Sequence, residues 1–398
     1  MRSAYNETSL YNLFVLKEVK RWWKHGLIQD GQYNTIRENY ICPLFHPNFI
    51  IRILLFIAGM IALSGVTGTF MLFMTAFDPG VEVWSFASIL YGVGAFFFLK
   101  YVFINNKHYK SGITEILLYH AIGYTFGGLM GLTDFNVHFM LFTGVIVLSF
   151  AAYRYVDLLT TLAATLTLAG LVFYEFYNMG GIFQQIIPFV IILFFTPLYF
   201  IARSLKQKPS SWLWTQNLII IEAISLLLIY AGGNYLVVRE LSIALMDLVL
   251  EEGQDIPFAI LFYGLTLLIP VIYLYLGIKK KDVILLRVSL ILVALSVFTF
   301  KYYYGFHHPE ITLTVAGALL LIISYVLFNY LKIIRGGFTR DNLLSEKWSS
   351  MNVEAFVVSQ TLGGKQVKAN DQLKGGGGEF GGGAASGGRA LQSSGRAR

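Results

Sequence analysis

Cysteine is almost missing from this chain: Cys42 is the single one among 398 residues. That excludes an intrachain disulfide and any cysteine-rich metal site. Charge is scarce as well. Asp, Glu, Lys and Arg supply 13% of the residues, where a soluble globular domain carries roughly a quarter. A chain of this length cannot cover a soluble surface with so few charges. The usual signatures of phosphate cradling and hydrolysis are missing too. There is no Gly-Lys-Ser/Thr loop, HExxH, CxxC or nucleophile elbow. An ATP-driven pump and a zinc protease are therefore not expected, and no cofactor is implied.

What is present is apolar material in blocks. Residues of the apolar class make up 56% of the chain, gathered in runs of about 20, long enough to cross roughly 30 Å of hydrocarbon at 1.5 Å per residue. The runs fall at 50–74, 83–104, 113–132, 135–153, 156–177, 182–202, 212–232, 257–278, 283–303 and 311–332. Many of the 24 Tyr and 6 Trp stand near block ends, where amphipathic rings favour the membrane interface. The first block begins near Phe49, after a charged segment, and is too long for a signal-peptide core, so it reads as a permanent span. The net charge of +7 sits in short connections and orients spans; nucleic acid is not an expected partner.

The connections alternate in sign. Lys17, Lys20, Arg21, Lys24, Arg37 and Arg52 precede or open the first span, and the next connection holds only Asp78 and Glu82. Lys100, Lys107 and Lys110 follow, then Asp134, then Arg154, then Glu175, then Arg203, Lys206 and Lys208. The long connection 233–256 is acidic apart from Arg239. Lys279, Lys280 and Lys281 come next, then Lys301 alone, and Lys332, Arg335 and Arg340 close the series. The positive-inside rule then puts both termini in the cytoplasm and requires an even count. The expectation is an all-α, polytopic transmembrane helical bundle of about ten spans, residues 49–333, in a bacterial inner membrane.

Residues 1–48 read as a cytoplasmic amphipathic helical hairpin. Thr8 or Ser9 can cap a first helix carrying Leu10, Leu13, Phe14, Leu16 and Val19 at helical spacing. Gly26 stops it. Asp30 can cap a second helix with Tyr33, Ile36 and Tyr40 on one face. Trp22 and Trp23 among Lys17, Lys20, Arg21 and Lys24 suit either an anionic leaflet or a cytoplasmic protein partner. In the connection 234–256, Leu236, Leu241, Ala244, Leu245 and Leu248 can share a face, giving an interfacial helix or an extension of the seventh span. The tail 334–398 is Gly-rich, as in GGGGEFGGGAASGGRA, and is expected to lack structure.

Ionisable groups inside a bilayer need a reason. Glu222 is the deepest acid, near the middle of the seventh span, with Gln216 and Asn217 toward the cytoplasm. It is either a satisfied group bridging helices or a proton- or cation-coupling site, and Arg154 is a conceivable partner. Glu115 and His120 lie in the third span, five residues apart. Either Glu115 snorkels while His120 donates a hydrogen bond, or the two face a wet cavity as a proton relay. Gly123, Gly127 and Gly131 continue that span and would let a neighbour approach. His307, His308 and Glu310, in KYYYGFHHPEIT, are weak candidates for metal ligands; the surrounding aromatic run is better explained as an interface belt.

The stretch WWKHGLIQDGQYNTIRENY resembles the opening of a bacterial membrane-protein family, domain of unknown function 2157. Trp23, Gly26, Leu27, Ile28, Ile36 and Tyr40 carry the match, and KYYYGFHHPEITLTVAGALLLIISYVLFNYL is similar in style to the family's end. The glycine tail resembles tails of bacterial envelope proteins such as TPM-domain proteins, but ends in RALQSSGRAR rather than an aromatic. The resemblance implies location and architecture and assigns no catalytic residue. Three functions follow as expectations. The first is a transporter or channel for a small solute or ion, with Glu222, Glu115, His120 and Asn217 lining a midplane cavity. The second is a structural or sensory component recruiting a partner through the hairpin. The third is a membrane enzyme on a lipid-linked substrate, with His307, His308 and Glu310 at its rim. The first five spans show no echo in the last five.

Overall fold

A computed structural model describes residues 3–77, 80–246 and 255–303, with isolated positions between 314 and 332. Every named element among them is helical; the single bridge joins Phe45 to His108. His307, His308, Glu310, half of the tenth predicted span and the glycine tail lie outside the described residues.

The hairpin consists of α1 (Glu7–Lys24) and α2 (Asp30–Asn39). Its caps differ from those expected. Asn6 caps α1 by accepting from the Ser9 amide at 3.0 Å, two or three positions earlier than Thr8 or Ser9. Gln29 caps α2 through a capping box with Gln32. Asp30 instead accepts from the Trp23 indole at 2.6 Å, and Trp23 stacks on Tyr33 at 5.0 Å. Gly26 ends α1 as expected, with φ at +71°, a conformation that glycine enters without a Cβ clash.

The helices that follow are α3 (Phe49–Thr75), α4 (Val81–Phe98, continued by a π-helical turn Leu99–Ile104), α5 (Ile113–Gly131), α6 (Val137–Tyr155), α7 (Leu158–Met179), α8 (Ile182–Lys206), α9 (Thr215–Gly233), α10 (Tyr235–Met246), α11 (Ala259–Lys280) and α12 (Val283–Tyr303). A 3₁₀ segment, Pro209–Trp214, leads into α9. Eight helices among the described residues are long and apolar enough to cross a membrane. α5 is not one of them, because Glu115, His120 and its glycines dilute its apolar content. Its length of 19 residues equals that of α6 and α9, and it lies against α3, α4 and α6. Leu72, Leu193 and Ile260, on three of these helices, have 74%, 76% and 88% of their surface exposed. Such an apolar exterior is stable in hydrocarbon and aggregates in water.

α5 and α9 are the inner helices of two modules. α9 packs on α7, α8, α11 and α12, closing a core of Tyr199, Leu226, Tyr230, Leu285 and Leu292. α10 is a separate helix, not an extension of α9. It buries Tyr235 and Val238 while Leu241 and Leu245 remain exposed, so the predicted leucine face is not the buried one.

The groups α3–α4–α5 and α7–α8–α9 are built alike. Asn48 caps α3 and Asp157 caps α7, each accepting from the third amide of its helix at 2.9 Å. The fourth residue of the first helix meets the third residue of the third helix in both. Arg52 pairs with Glu115 at 2.5 Å, and Asn217 donates to Thr161 at 2.6 Å. His120 and Glu222 are each eighth in helices of 19 residues that end in glycine. The turns into α7 and α12 also match. Val156 and Lys281 are left-handed, at φ of 53° and 52°, and Asp157 and Asp282 follow them as caps. The repeating unit is thus four helices, α3–α6 and α7–α9 plus α11, with α10 inserted.

Candidate functional site

Glu222 is fully buried and makes an ion pair with Lys206. Its other oxygen lies 3.8 Å from Arg203. Arg203 in turn meets Asp282 at 2.6 Å and donates to the Tyr199 hydroxyl at 2.6 Å. Side chains of a helix lean toward its N-terminus. Arg203 and Lys206 therefore lean back along α8, Glu222 leans toward the start of α9, and the antiparallel pair meets. Arg154, which could have been its partner or simply an orienting charge, is engaged elsewhere: it donates to the Ser3 carbonyl at 3.1 Å. α8 runs four residues past the predicted end of the sixth span. That places two presumed loop cations in a cluster of two acids and two bases joining α8, α9 and the start of α12.

Glu115 does not snorkel and does not pair with His120. It is buried, accepts from the Gly112 amide at 2.7 Å and Thr114 at 2.9 Å, and pairs with Arg52. A carboxylate in the first helical turn also complements the α5 dipole. His120 forms a separate group with the Tyr91 hydroxyl at 3.0 Å and Thr67 at 3.5 Å, beside the Tyr124 ring at 4.6 Å. The glycine reading holds for Gly131 and is corrected for Gly123 and Gly127. A Cβ at Gly123 or Gly127 would meet open space, whereas one at Gly128 or Gly131 would strike Ser85. Gly92 presses on Ala121 and Thr125 from the α4 side.

Asn217 is the expected residue that reaches a cavity. Its amide donates to the Asp157 carbonyl at 2.9 Å and to Thr161, while its own oxygen is buried without a hydrogen bond. The cavity beside it, about 450 Å³, lies between α6, α7, α8, the 3₁₀ segment and α9. Its polar groups are Ser149, Thr161, Thr165, Ser210, Ser211 and Asn217; the rest of its wall is apolar or aromatic, with Trp214 at one side. A second cavity of about 240 Å³ lies between α7, α8, α9 and α10 and is apolar apart from Ser242. Asn217, Ile221, Leu228 and Gly232 line one or the other and recur on one face of α9 at helical spacing. The two cavities therefore lie along one face of α9, one after the other in the crevice between α7, α8 and α9, and share no lining residue. Glu222, Glu115 and His120 line neither.

The hairpin covers the end of the bundle beside the first cavity. Tyr11 and Phe14 lie 5.6 and 6.1 Å from Trp212 in the 3₁₀ segment. Tyr5 meets Tyr109 edge-on at 4.9 Å, and the Ala4 amide donates to the Arg154 carbonyl at 2.7 Å. Among the described residues no group of three His, Cys, Asp or Glu could hold a metal ion.

The sequence pattern did not pick out Arg203, Lys206 and Asp282 as partners of Glu222, or Thr161 and Trp214 as wall of the crevice. Their one visible signal was Arg203 and Lys206 at the end of an apolar run.

A bundle of long apolar helices with an apolar exterior and buried, paired charges defines an integral, multi-pass membrane protein. Comparison with protein families, curated proteins and solved structures finds no match for this chain.

Proposed function

We propose that this protein transports a small amphipathic molecule along the crevice between α7, α8 and α9. The observation that carries this reading is the pair of cavities on one face of α9, with hydroxyls and Asn217 at the hairpin end and apolar walls beyond. Such a wall desolvates a bare ion without repayment. It suits a molecule with an apolar body and one hydrogen-bonding head, whose donor the free Asn217 oxygen would accept. The repeated four-span module supports the reading, since many transporters are built from internal repeats. Four spans per unit preserve orientation, so the repeats would be parallel. Glu222 then acts as a structural staple and not as the coupling group.

The same proposal takes the alternating connections at face value: ten spans in a bacterial inner membrane, hairpin and tail in the cytoplasm, and kinship with domain of unknown function 2157. The test is flux into proteoliposomes of a panel of single-chain amphiphiles: a fatty acid, an alkylamine and a lysophospholipid. Wild type accelerates at least one over protein-free vesicles, and Ala164→Phe, which fills the first cavity, abolishes the gain. Equal flux with and without protein, or an unaffected Ala164→Phe, sinks the proposal.

A further inference from the structure

Among the described residues, the lining of the first cavity holds no carboxylate, ammonium, guanidinium or imidazole. Its polar side chains are uncharged, and their hydrogen bonds sort them further. Both Asn217 amide hydrogens are spent, one on the Asp157 carbonyl at 2.9 Å and one on the Thr161 hydroxyl at 2.6 Å. A carbonyl can only accept, so it fixes the amide nitrogen on that side and leaves the Asn217 oxygen, buried and unpartnered, as the free atom. The Thr161 hydroxyl donates to the Asp157 carbonyl at 2.7 Å, and the Thr165 hydroxyl to the Thr161 carbonyl at 2.8 Å. Trp214 spends its indole N–H on the Tyr153 carbonyl at 2.9 Å. These four residues thus offer oxygen lone pairs and ring faces, with their donors already engaged. Ser149 and Ser210 stand at the rim, exposed, and their hydroxyls can turn either way.

The cavity is closed at the back and open on one side. Thr161, Ala164, Thr165, Asn217 and Leu218 are buried, whereas Ser149, Tyr153 and Leu205 are exposed. Ser149 and Tyr153 share a face of α6 with Ile146 and Phe150, both more than half exposed. Leu205 follows exposed Ile201 by one turn of α8. The mouth between α6 and α8 therefore opens on the apolar exterior. At its hairpin end the Tyr153 and Trp214 rings stack, 5.0 Å apart and 1° from parallel, the kind of pair that sits at headgroup depth.

We infer that the first cavity selects a single-chain lipid whose head is an uncharged hydrogen-bond donor, such as a glycerol monoester or a long-chain alcohol, and takes it sideways from the leaflet at the hairpin end. This rests on the reading of the crevice as a ligand path and names what fills it. A fixed anion meets spent donors at the inner wall, and a fixed cation meets no carboxylate there; either would lose hydration without replacement. A hydroxyl head donates to the Asn217 oxygen and accepts from a rim serine. Its chain follows Leu168, Leu198 and Ile221 toward the second, apolar cavity. Fatty acids and alkylamines fit in their uncharged forms, which carry an O–H or N–H donor. The volume of about 450 Å³ lies within the roughly 300–1,000 Å³ of small-ligand sites.

The experiment uses the full chain in phosphatidylcholine nanodiscs with three photoreactive probes of equal chain length, ending in a glycerol ester, a sulfonate or a trimethylammonium. Labelled residues are mapped by peptide mass spectrometry. The glycerol ester labels residues 149–168 and 198–221 about tenfold more strongly than either charged probe. Unlabelled monoacylglycerol competes and free glycerol does not. Ala164→Phe abolishes the labelling, and Asn217→Leu lowers it about tenfold. Asn217→Leu also removes two structural hydrogen bonds, so Ser149→Lys serves as the second variant: its exposed ammonium at the mouth raises labelling by the sulfonate. Equal labelling by the three probes, competition by free glycerol, labelling untouched by Ala164→Phe, or no gain of sulfonate labelling in Ser149→Lys overturns the inference. Flux without head-group selection refutes this inference alone, and selective labelling without flux refutes the transport reading alone.

Discussion

At the scale of single residues, the buried charges are decided by their partners. Glu222 has Lys206 and Arg203, and Arg203 is shared with Asp282. Removing one member of a buried pair leaves the other uncompensated and costs about 3–5 kcal/mol, whereas replacing both by apolar groups is often neutral. Lys206→Met should therefore lower the thermal midpoint in detergent markedly, and Glu222→Leu/Lys206→Met should recover most of the loss. Equal midpoints for Lys206→Met and wild type would remove the staple role. His46 provides a pH test. Its docked value of about 4 lies below its ordinary 6.5, so an undocked segment binds the proton first. Docking strength is complete above about pH 6.5 and is lost as pH falls toward 4. Hydrogen exchange at residues 44–46 and 107–110 should rise over that window in wild type and stay flat in His46→Gln. Neither Glu222's partners nor His46's burial could be read from the chain, because they lie 16 and 63 residues away and local patterns do not reach that far.

At the scale of elements, helix starts and ends were legible where polar caps and glycine break apolar runs, and the limits of the first nine expected spans fall within a few residues of the helices observed. Which helix faces touch was not. Every fourth residue from Gly123 looks like a close-packing stripe, yet the contact runs through Ala121, Thr125, Gly128 and Gly131. A helix offers several small-residue faces, and only the neighbour's position selects one. Gly128→Leu must push α4 away at Ser85 and should lower the thermal midpoint strongly, since membrane helices associate by packing and not by a hydrophobic gain. Gly123→Leu enters open space and should be tolerated. If the two variants melt alike, the α4–α5 contact is wrong. The repeat belongs to this scale as well. Comparing five spans with five hides it, because the unit is four spans and matches in caps and helix register more than in residue identity.

At the scale of the whole molecule, α1 is docked on the span ends through Tyr5, Leu10 and Leu13 beside Tyr109, Trp212 and Leu213. The apolar side expected to meet a leaflet or a partner is thus largely used within the chain, and α2, with no buried residue, is the freer half for a partner. The orientation read from the connections has its own test. In a Cys42→Ser background, cysteines replacing exposed Asn106 and Leu245 should be labelled by an impermeant maleimide from opposite sides of the membrane, Asn106→Cys from the cytoplasm. Labelling of both from one side would overturn the alternation.

By itself the sequence determined the solvent. Apolar runs long enough for hydrocarbon, with charge confined to short connections, leave an integral helical bundle as the stable outcome, since backbone groups in lipid must be paired within their own segment. It also located the buried acids. What those acids touch was decided only by tertiary structure, because burial of a charge acquires its meaning from what stands within a few ångströms. Antiparallel α8 and α9 lean their cations and acid together, which pairs Glu222 with Lys206 and leaves Asn217, one face away, on the crevice.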